Sequence, residues 1–121
     1  VNPQSGAVYV ADWYEHRLYA IDPQTLSITA SVATGQSPSG VAVTADGKTI
    51  LTADRDSNQV SLIDAATFKV TGTIETGERP FGVTMDDTSG RAYTANVASN
   101  SMTVLDVKAG TRLRDIPVGL R

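Results

Sequence analysis

The sequence predicts an all-β chain of three consecutive four-stranded antiparallel β-propeller blades. Three observations carry this: a gapless internal repeat, four short strand patterns within each repeat, and no helical spacing sustained for two turns. Gly35, Gly77 and Gly119 recur at a step of 42 residues (77 − 35 = 42), as do Asp22, Asp64 and Asp106, and Ala11, Ala53 and Ala95. Asp12, Asp54 and Asn96 form a further column, Pro38 pairs with Pro80, and Gly40 pairs with Gly82. The apolar triplets Leu18/Val60/Met102, Ile21/Ile63/Leu105 and Val32/Ile74/Ile116 hold the same register.

The second unit shows the strands in order. Gly40-Val41-Ala42-Val43 is a short apolar run, followed by the turn signal Asp46-Gly47. Thr49–Ala53 is the second strand, ended by the polar stretch Asp54–Asn58, and Val60–Ile63 is the third. Lys69–Ile74 alternates and is the fourth. Stacked blades cover both faces of their inner strands, which predicts continuous apolar runs such as 40–43 and Phe81-Gly82-Val83, with small residues where blades converge. Rim strands should alternate, as Ser27-Ile28-Thr29-Ala30-Ser31-Val32 does. The third rim carries Arg112, Arg114 and Asp115, charges that discourage pairing with a foreign edge.

Three strand signatures, Tyr9-Val10-Ala11-Asp12, Leu51-Thr52-Ala53-Asp54 and Tyr93-Thr94-Ala95-Asn96, resemble the motif that names the YVTN-repeat β-propellers, a lactonase-like and surface-layer-type group. The links Gly35–Val41 and Gly77–Val83 are similar to that family's Gly-x-x-Pro-x-Gly-Val joint, so the resemblance covers essentially the whole chain. WD-repeat propellers fit less well, because the Gly-His and Trp-Asp signatures are missing. The resemblance implies a seven-bladed prokaryotic propeller that is periplasmic, secreted or on the cell surface.

The blades are expected at about 1–36, 37–78 and 79–119, the first lacking most of its inner strand because Val1 aligns with Val43. Repeat units bury their apolar faces on like neighbours. Three blades are fewer than the roughly four to eight that close a ring, so the chain reads as an internal piece of a larger propeller. A six-bladed ring built from two chains is the competing expectation.

Composition narrows the function classes. The chain has 121 residues and a formal net charge of −3, a balance that argues against nucleic acid as a partner. No run is long and apolar enough to span a bilayer, and no signal peptide is visible in the segment, which opens at Val1. Without Cys there is no disulfide or thiolate chemistry, and the compartment stays open.

No metal, cofactor or catalytic residue is expected from this segment. His16 is the sole His, whereas zinc and iron sites draw on several His or Cys ligands, so it reads as a partly exposed loop residue. Asp54-x-Asp56-x-Asn58 starts like a calcium loop but continues with Gln59 and Ala65 where Gly and Glu are required. Gly35-Gln36-Ser37-Pro38-Ser39 lacks the last Gly of a nucleophile elbow. Asp12, Asp54 and Asn96, and likewise Asp22, Asp64 and Asp106, end strands and are expected to bond backbone N–H groups of the following turn. Asp86-Asp87 reads as turn chemistry in the same way.

The loops between second and third strands and the links between blades should open on one axial face. That face gathers the binding candidates Trp13, Tyr14, His16, Arg17, Arg55, Arg79 and Phe81, with Glu15, Gln36, Ser39, Asp56 and Glu78 beside them. Exposed aromatics with Arg dominate contact energies, which puts Trp13, Tyr14 and Arg79 first. The competing use of Trp13 and Tyr14 is packing over the loop to cover the next blade. The expected function is a non-catalytic propeller of the cell envelope that binds a protein or small molecule on this face and contacts the remaining blades of its ring. The alternative is part of a lactonase-like hydrolase or quinoprotein-like oxidoreductase, whose site would collect one residue from each of several blades around the axis.

Overall fold

The computed structural model describes residues 1–119. They form three antiparallel sheets. The first holds β1 (Val8–Asp12), β2 (Arg17–Asp22) and β3 (Ser27–Ala33). The second holds β4 (Pro38–Val43), β5 (Thr49–Asp54), β6 (Gln59–Asp64) and β7 (Lys69–Glu75). The third holds β8 (Pro80–Asp86), β9 (Arg91–Asn96), β10 (Ser101–Asp106) and β11 (Thr111–Pro117). Each strand pairs with its sequence neighbour, and no strand pairs across two sheets among the described residues. The fold is an incomplete propeller of three blades, the first without a paired inner strand. A three-residue 3-10 turn, Arg55–Ser57, is the single helical feature among the described residues.

The repeat reaches down to backbone irregularities. The third-to-fourth-strand ladders slip at Ala20/Ile21, Leu62/Ile63 and Val104/Leu105, at the same step as the sequence. Such bulges sharpen strand twist, which a blade needs. Left-handed backbone follows the same step: His16, Asn58 and Asn100 have φ of 56°, 52° and 49°, and Ser37 and Arg79 have 56° and 57°. A non-glycine residue there costs about 1–2 kcal/mol, so a repeated occurrence means that surrounding bonds hold it.

The blades are wedges. Where β4 meets β8, a Cβ on Gly40 would lie 3.0 Å from the Gly82 Cα, so glycine is what lets these inner strands approach. Leu18, Ala20, Ile50, Ile63 and Phe68 fill the junction of the first two blades. Leu51, Val60, Leu62, Ile74, Ala92, Leu105 and Val107 fill the next. Burial is deepest in β5 and β6, not in the inner strand β4, which is half-buried along most of its length. The expectation of a fully covered inner strand is therefore corrected: β4 is an edge strand, paired with β5 on one side alone. On the open sides, Leu26 is 80% exposed while its repeat mate Phe68 is buried, and Tyr93 and Met102 line an apolar hollow where Leu51 and Val60 are buried.

Candidate functional site

The links and the second-to-third-strand loops are laced together by bonds that recur at the repeat step. Arg55 N donates to the Ser37 carbonyl at 3.1 Å and Val97 N to the Arg79 carbonyl at 3.0 Å. Asp56 N donates to the Gln36 carbonyl and Ala98 N to the Glu78 carbonyl. From the other side, Ser57 Oγ accepts from Gln36 N and Ser99 Oγ from Glu78 N, at 2.8 and 3.1 Å. Loops and links thus share one face, and its backbone is held by bonds on both sides.

His16 belongs to this lacing. Its Nδ1 accepts from Ser37 N at 2.9 Å, as Asn58 Oδ1 accepts from Arg79 N at 2.9 Å one repeat later. The imidazole stands in for an Asn amide oxygen, and its half-buried ring is committed to holding the link. Sequence reasoning placed it as a loop residue but missed this role. The signal was Asn at the two later positions of the column, since Asn tolerates left-handed backbone.

On this frame sits an aromatic shelf. Trp13, Arg55 and Val97 occupy one repeat column at the head of the three loops. The Arg55 guanidinium carbon lies 4.1 Å from the Trp13 ring centroid, a cation–π stack worth about 0.5–1 kcal/mol at an exposed site. Tyr14 stacks on Trp13 at 6.3 Å between centroids and 21° between planes, and is 88% exposed. The two competing uses are thus divided: Trp13, 41% exposed, leans on the next blade, and Tyr14 stands in solvent. Arg55 Nε pairs with Asp56 Oδ1 at 3.3 Å, and the same oxygen meets Arg79 Nη2 at 3.6 Å. Ser37 Oγ donates to Asp56 Oδ2 at 2.6 Å. That bond first, then the one from Arg55, holds the Asp56 carboxyl below the usual carboxylate range.

The structure therefore brings Trp13, Tyr14, Arg55 and Arg79 together through Asp56, a residue absent from the leading binding candidates. It does not bring in Arg17, whose Nη2 donates to Ser31 Oγ at 2.9 Å. Phe81 stands apart on inner strand β8, 48% exposed, with its carbonyl accepting from Ser39 Oγ. In the third blade the column positions of Arg55 and Asp56 hold Val97 and Ala98, so the charged part of the shelf ends there.

The Asp/Asn column needs correction. Asp12 Oδ1 accepts from Tyr14 N and Glu15 N, as expected of a strand-end acid. Asp54 and Asn96 do not bond the following turn. Buried Asp54 accepts from Gly35 N (3.1 Å), Gln59 Nε2 (3.0 Å), Ser61 Oγ (2.5 Å) and Thr52 Oγ1 (2.8 Å). Burial raises its pKa above the usual value and these bonds oppose the rise. Asn96 accepts from Thr94 Oγ1 and donates to Ser101 Oγ and Thr103 Oγ1, while Gly77 N bonds Thr103 Oγ1 instead. These side chains clamp the link onto the next blade. A Cβ on Gly35 would come within 2.9 Å of Asp54 Cβ, which explains the glycine. Asp22, Asp64 and Asp106 bond their following turns, whereas Asp87 Oδ1 reaches back across the blade junction to Ala45 N at 2.8 Å. Both acids of the calcium-like stretch are thus bonded within the protein, and no group of three or more His, Cys, Asp and Glu is arranged for a metal among the described residues.

A model of the YNCE-like β-propeller matches residues 4–91, well over half of the chain. The chain belongs to the YNCE-like β-propeller family. Among solved structures, this YNCE-like segment superposes on Kuenenia stuttgartiensis hydrazine synthase with a TM-score of 0.93 at 24% identity, over 98% of this chain and 34% of that one. U3-55K gives 0.83 at 14% identity, over 98% of this chain and 38% of that one. Dihydro-heme d1 dehydrogenase NirN gives 0.77 at 20% identity, over 91% and 23%. At these identities the likeness is one of fold, and two of these neighbours are enzymes by name. The YNCE-like chain spans only 23% to 38% of the length of these structures. Among curated proteins no sequence match was found. Among the described residues no helix is long and apolar enough to cross a membrane.

Proposed function

We propose that these blades serve a non-catalytic binding propeller that holds a protein or small-molecule partner on the shelf of Trp13, Tyr14, Arg55 and Arg79. The carrying observation is Tyr14, a nearly fully exposed aromatic that is stacked on Trp13 and backed by Arg55. An exposed aromatic pair with Arg beside it is the residue pattern enriched at interface hot spots. Asp56 ties Arg55 to Arg79, and Glu15 and Glu78 lie on the same face, so the aromatic pair is bordered by both signs of charge and suits a flat apolar or π surface with a mixed polar rim. Binding is favoured over catalysis because the ionisable groups nearest the shelf already serve each other: Asp56 with both Arg, and His16 with the link. The strand signatures further support kinship with YVTN-repeat propellers, and with it a periplasmic, secreted or surface location.

A photo-crosslinking amino acid at Tyr14 in the intact protein, in its native cells, tests this. The expected result is one defined adduct, lost with Arg79→Glu, and no such adduct from the same group at Ile28 on the rim. Mass spectrometry of the adduct separates a protein from a small molecule. No adduct at Tyr14, or the same adduct from Ile28, would sink the reading.

A further inference from the structure

At the opposite end of the blades from the shelf, the two blade junctions differ in a way the repeat makes readable. The turn after the third strand carries Leu26, Phe68 and Gly110 in one column, all with left-handed backbone at φ of 59°, 54° and 70°. Phe68 fills the junction of the first and second blades. Its ring packs 6.0 Å from the Tyr9 ring and belongs to the cluster of Leu18, Ala20, Ile50 and Ile63. Asn2 and Gln4 finish the closure. Asn2 Nδ2 donates to the Gly47 carbonyl at 2.9 Å, and Gln4 Nε2 donates to the Ala45 carbonyl at 3.1 Å.

Both devices are missing one repeat on. Gly110 stands where Phe68 stood, and Thr44 and Asp46 replace Asn2 and Gln4. Thr44 Oγ1 turns back to Asp46 Oδ1 at 2.6 Å, within its own blade, so it does not bridge the junction. Leu62, in place of Ala20, takes back part of the room, with its Cδ1 3.9 Å from where a Gly110 Cβ would be. A cleft of about 920 Å³ remains, floored by Leu62, Met85, Val107 and Gly110. Its mouth carries Asp46, Lys48, Asp87 and Lys108. The two acids are engaged: Asp46 with Thr44 and Lys48 N, Asp87 with Ala45 N. Lys48 and Lys108 make no ion pair among the described residues. The mouth therefore carries two carboxylates and two ammonium groups, and the ammonium groups are its donors without a salt-bridge partner among the described residues.

We propose that this cleft binds a small aromatic carboxylate, its ring seated where Gly110 omits the side chain that Phe68 supplies one repeat earlier, and its carboxylate met by Lys48 and Lys108. The internal twin sets the ring: the matching backbone position one repeat earlier, between the equivalent blade faces, holds a phenyl group in the first junction. The site lies at the far ends of the strands from the shelf and stands independently of it.

Phenylacetate titrated into the intact protein is the probe, with methyl NMR of Leu62, Met85 and Val107 as the readout. The expected result is a saturable shift of those methyls, with Leu18 and Ile63 unmoved. Gly110→Phe is expected to fill the seat and weaken phenylacetate binding by about tenfold or more. If that variant loses the folded spectrum, Gly110→Leu uses the residue of the first unit's column for the same purpose. Lys48→Gln with Lys108→Gln should weaken phenylacetate more than uncharged benzyl alcohol. Absence of a saturable shift, or undiminished binding in the filled variant, overturns the site. Equal weakening of both probes overturns the charge assignment.

Discussion

The clamps of the second and third blades occupy the same repeat position but place their carboxylate on different strands. In the second blade Asp54 sits buried at the end of β5 and receives four donors, one of them the link amide of Gly35. In the third, Asn96 fills that place, and the link amide of Gly77 goes to Thr103 Oγ1. The difference lies one strand further out. Thr103 donates its hydroxyl proton to Asp115 on β11, which Arg112 holds, whereas the position matching Asp115 in the second blade is Thr73. Each of these two clamps thus carries one carboxylate, on β5 in one blade and on the rim strand in the other. A repeat preserves where a polar group must be and leaves open which strand supplies the charge.

The largest effect should come from breaking the charged clamp. Asp54→Ala leaves an amide, a carboxamide and two hydroxyls without their acceptor in a largely buried site. The expected loss is about 3 kcal/mol or more in urea unfolding of the intact protein. Asn96→Ala should lose only about 1 kcal/mol, because the hydroxyls around it can rotate to one another. Similar losses at the two positions would dissolve the distinction. A sharper version moves the charge. Asn96→Asp sets a second carboxylate against the single Thr103 proton already given to Asp115. It should lose about 1–2 kcal/mol at neutral pH. Adding Asp115→Asn should recover most of that, since its own pairing with Arg112 is half-exposed and weak. A double variant less stable than Asn96→Asp alone would count against one carboxylate per clamp.

Much of the fold was readable because a repeat unit that must cover both faces writes the same residues at the same step. Gly40 and Gly82, Leu18 and Val60, and the turn acids Asp22, Asp64 and Asp106 all took their expected places. The Asp12/Asp54/Asn96 column was read as three equal turn bonds, and two of the three failed. Their neighbours differ: Tyr19, Ser61 and Thr103 on the third strand, and Ser31, Thr73 and Asp115 on the fourth. Which partner reaches the clamp depends on register, which one column does not display. The shelf was legible in its aromatics and Arg. Asp56 as its centre was not, because the ion pair with Arg79 crosses a blade junction. The cleft was invisible for a similar reason: Phe68 against Gly110 is an unremarked turn position until its neighbour blade is in place.

The most direct test is a carboxyl titration of the intact protein by side-chain carbon NMR, following Asp54 and Asp115 together. Burial raises Asp54 above the usual 3.8, so the native state keeps a proton that the unfolded chain releases. Its contribution to stability is full below that value and falls as pH climbs through the raised midpoint. Arg112, first, lowers Asp115, so its contribution is present above 3.8 and is lost as pH falls through the lowered midpoint. The predicted result is an Asp54 midpoint above 3.8 and an Asp115 midpoint below it. An Asp54 midpoint at or below that of Asp115 would contradict a buried carboxylate in the second clamp and a paired one at the third blade's rim.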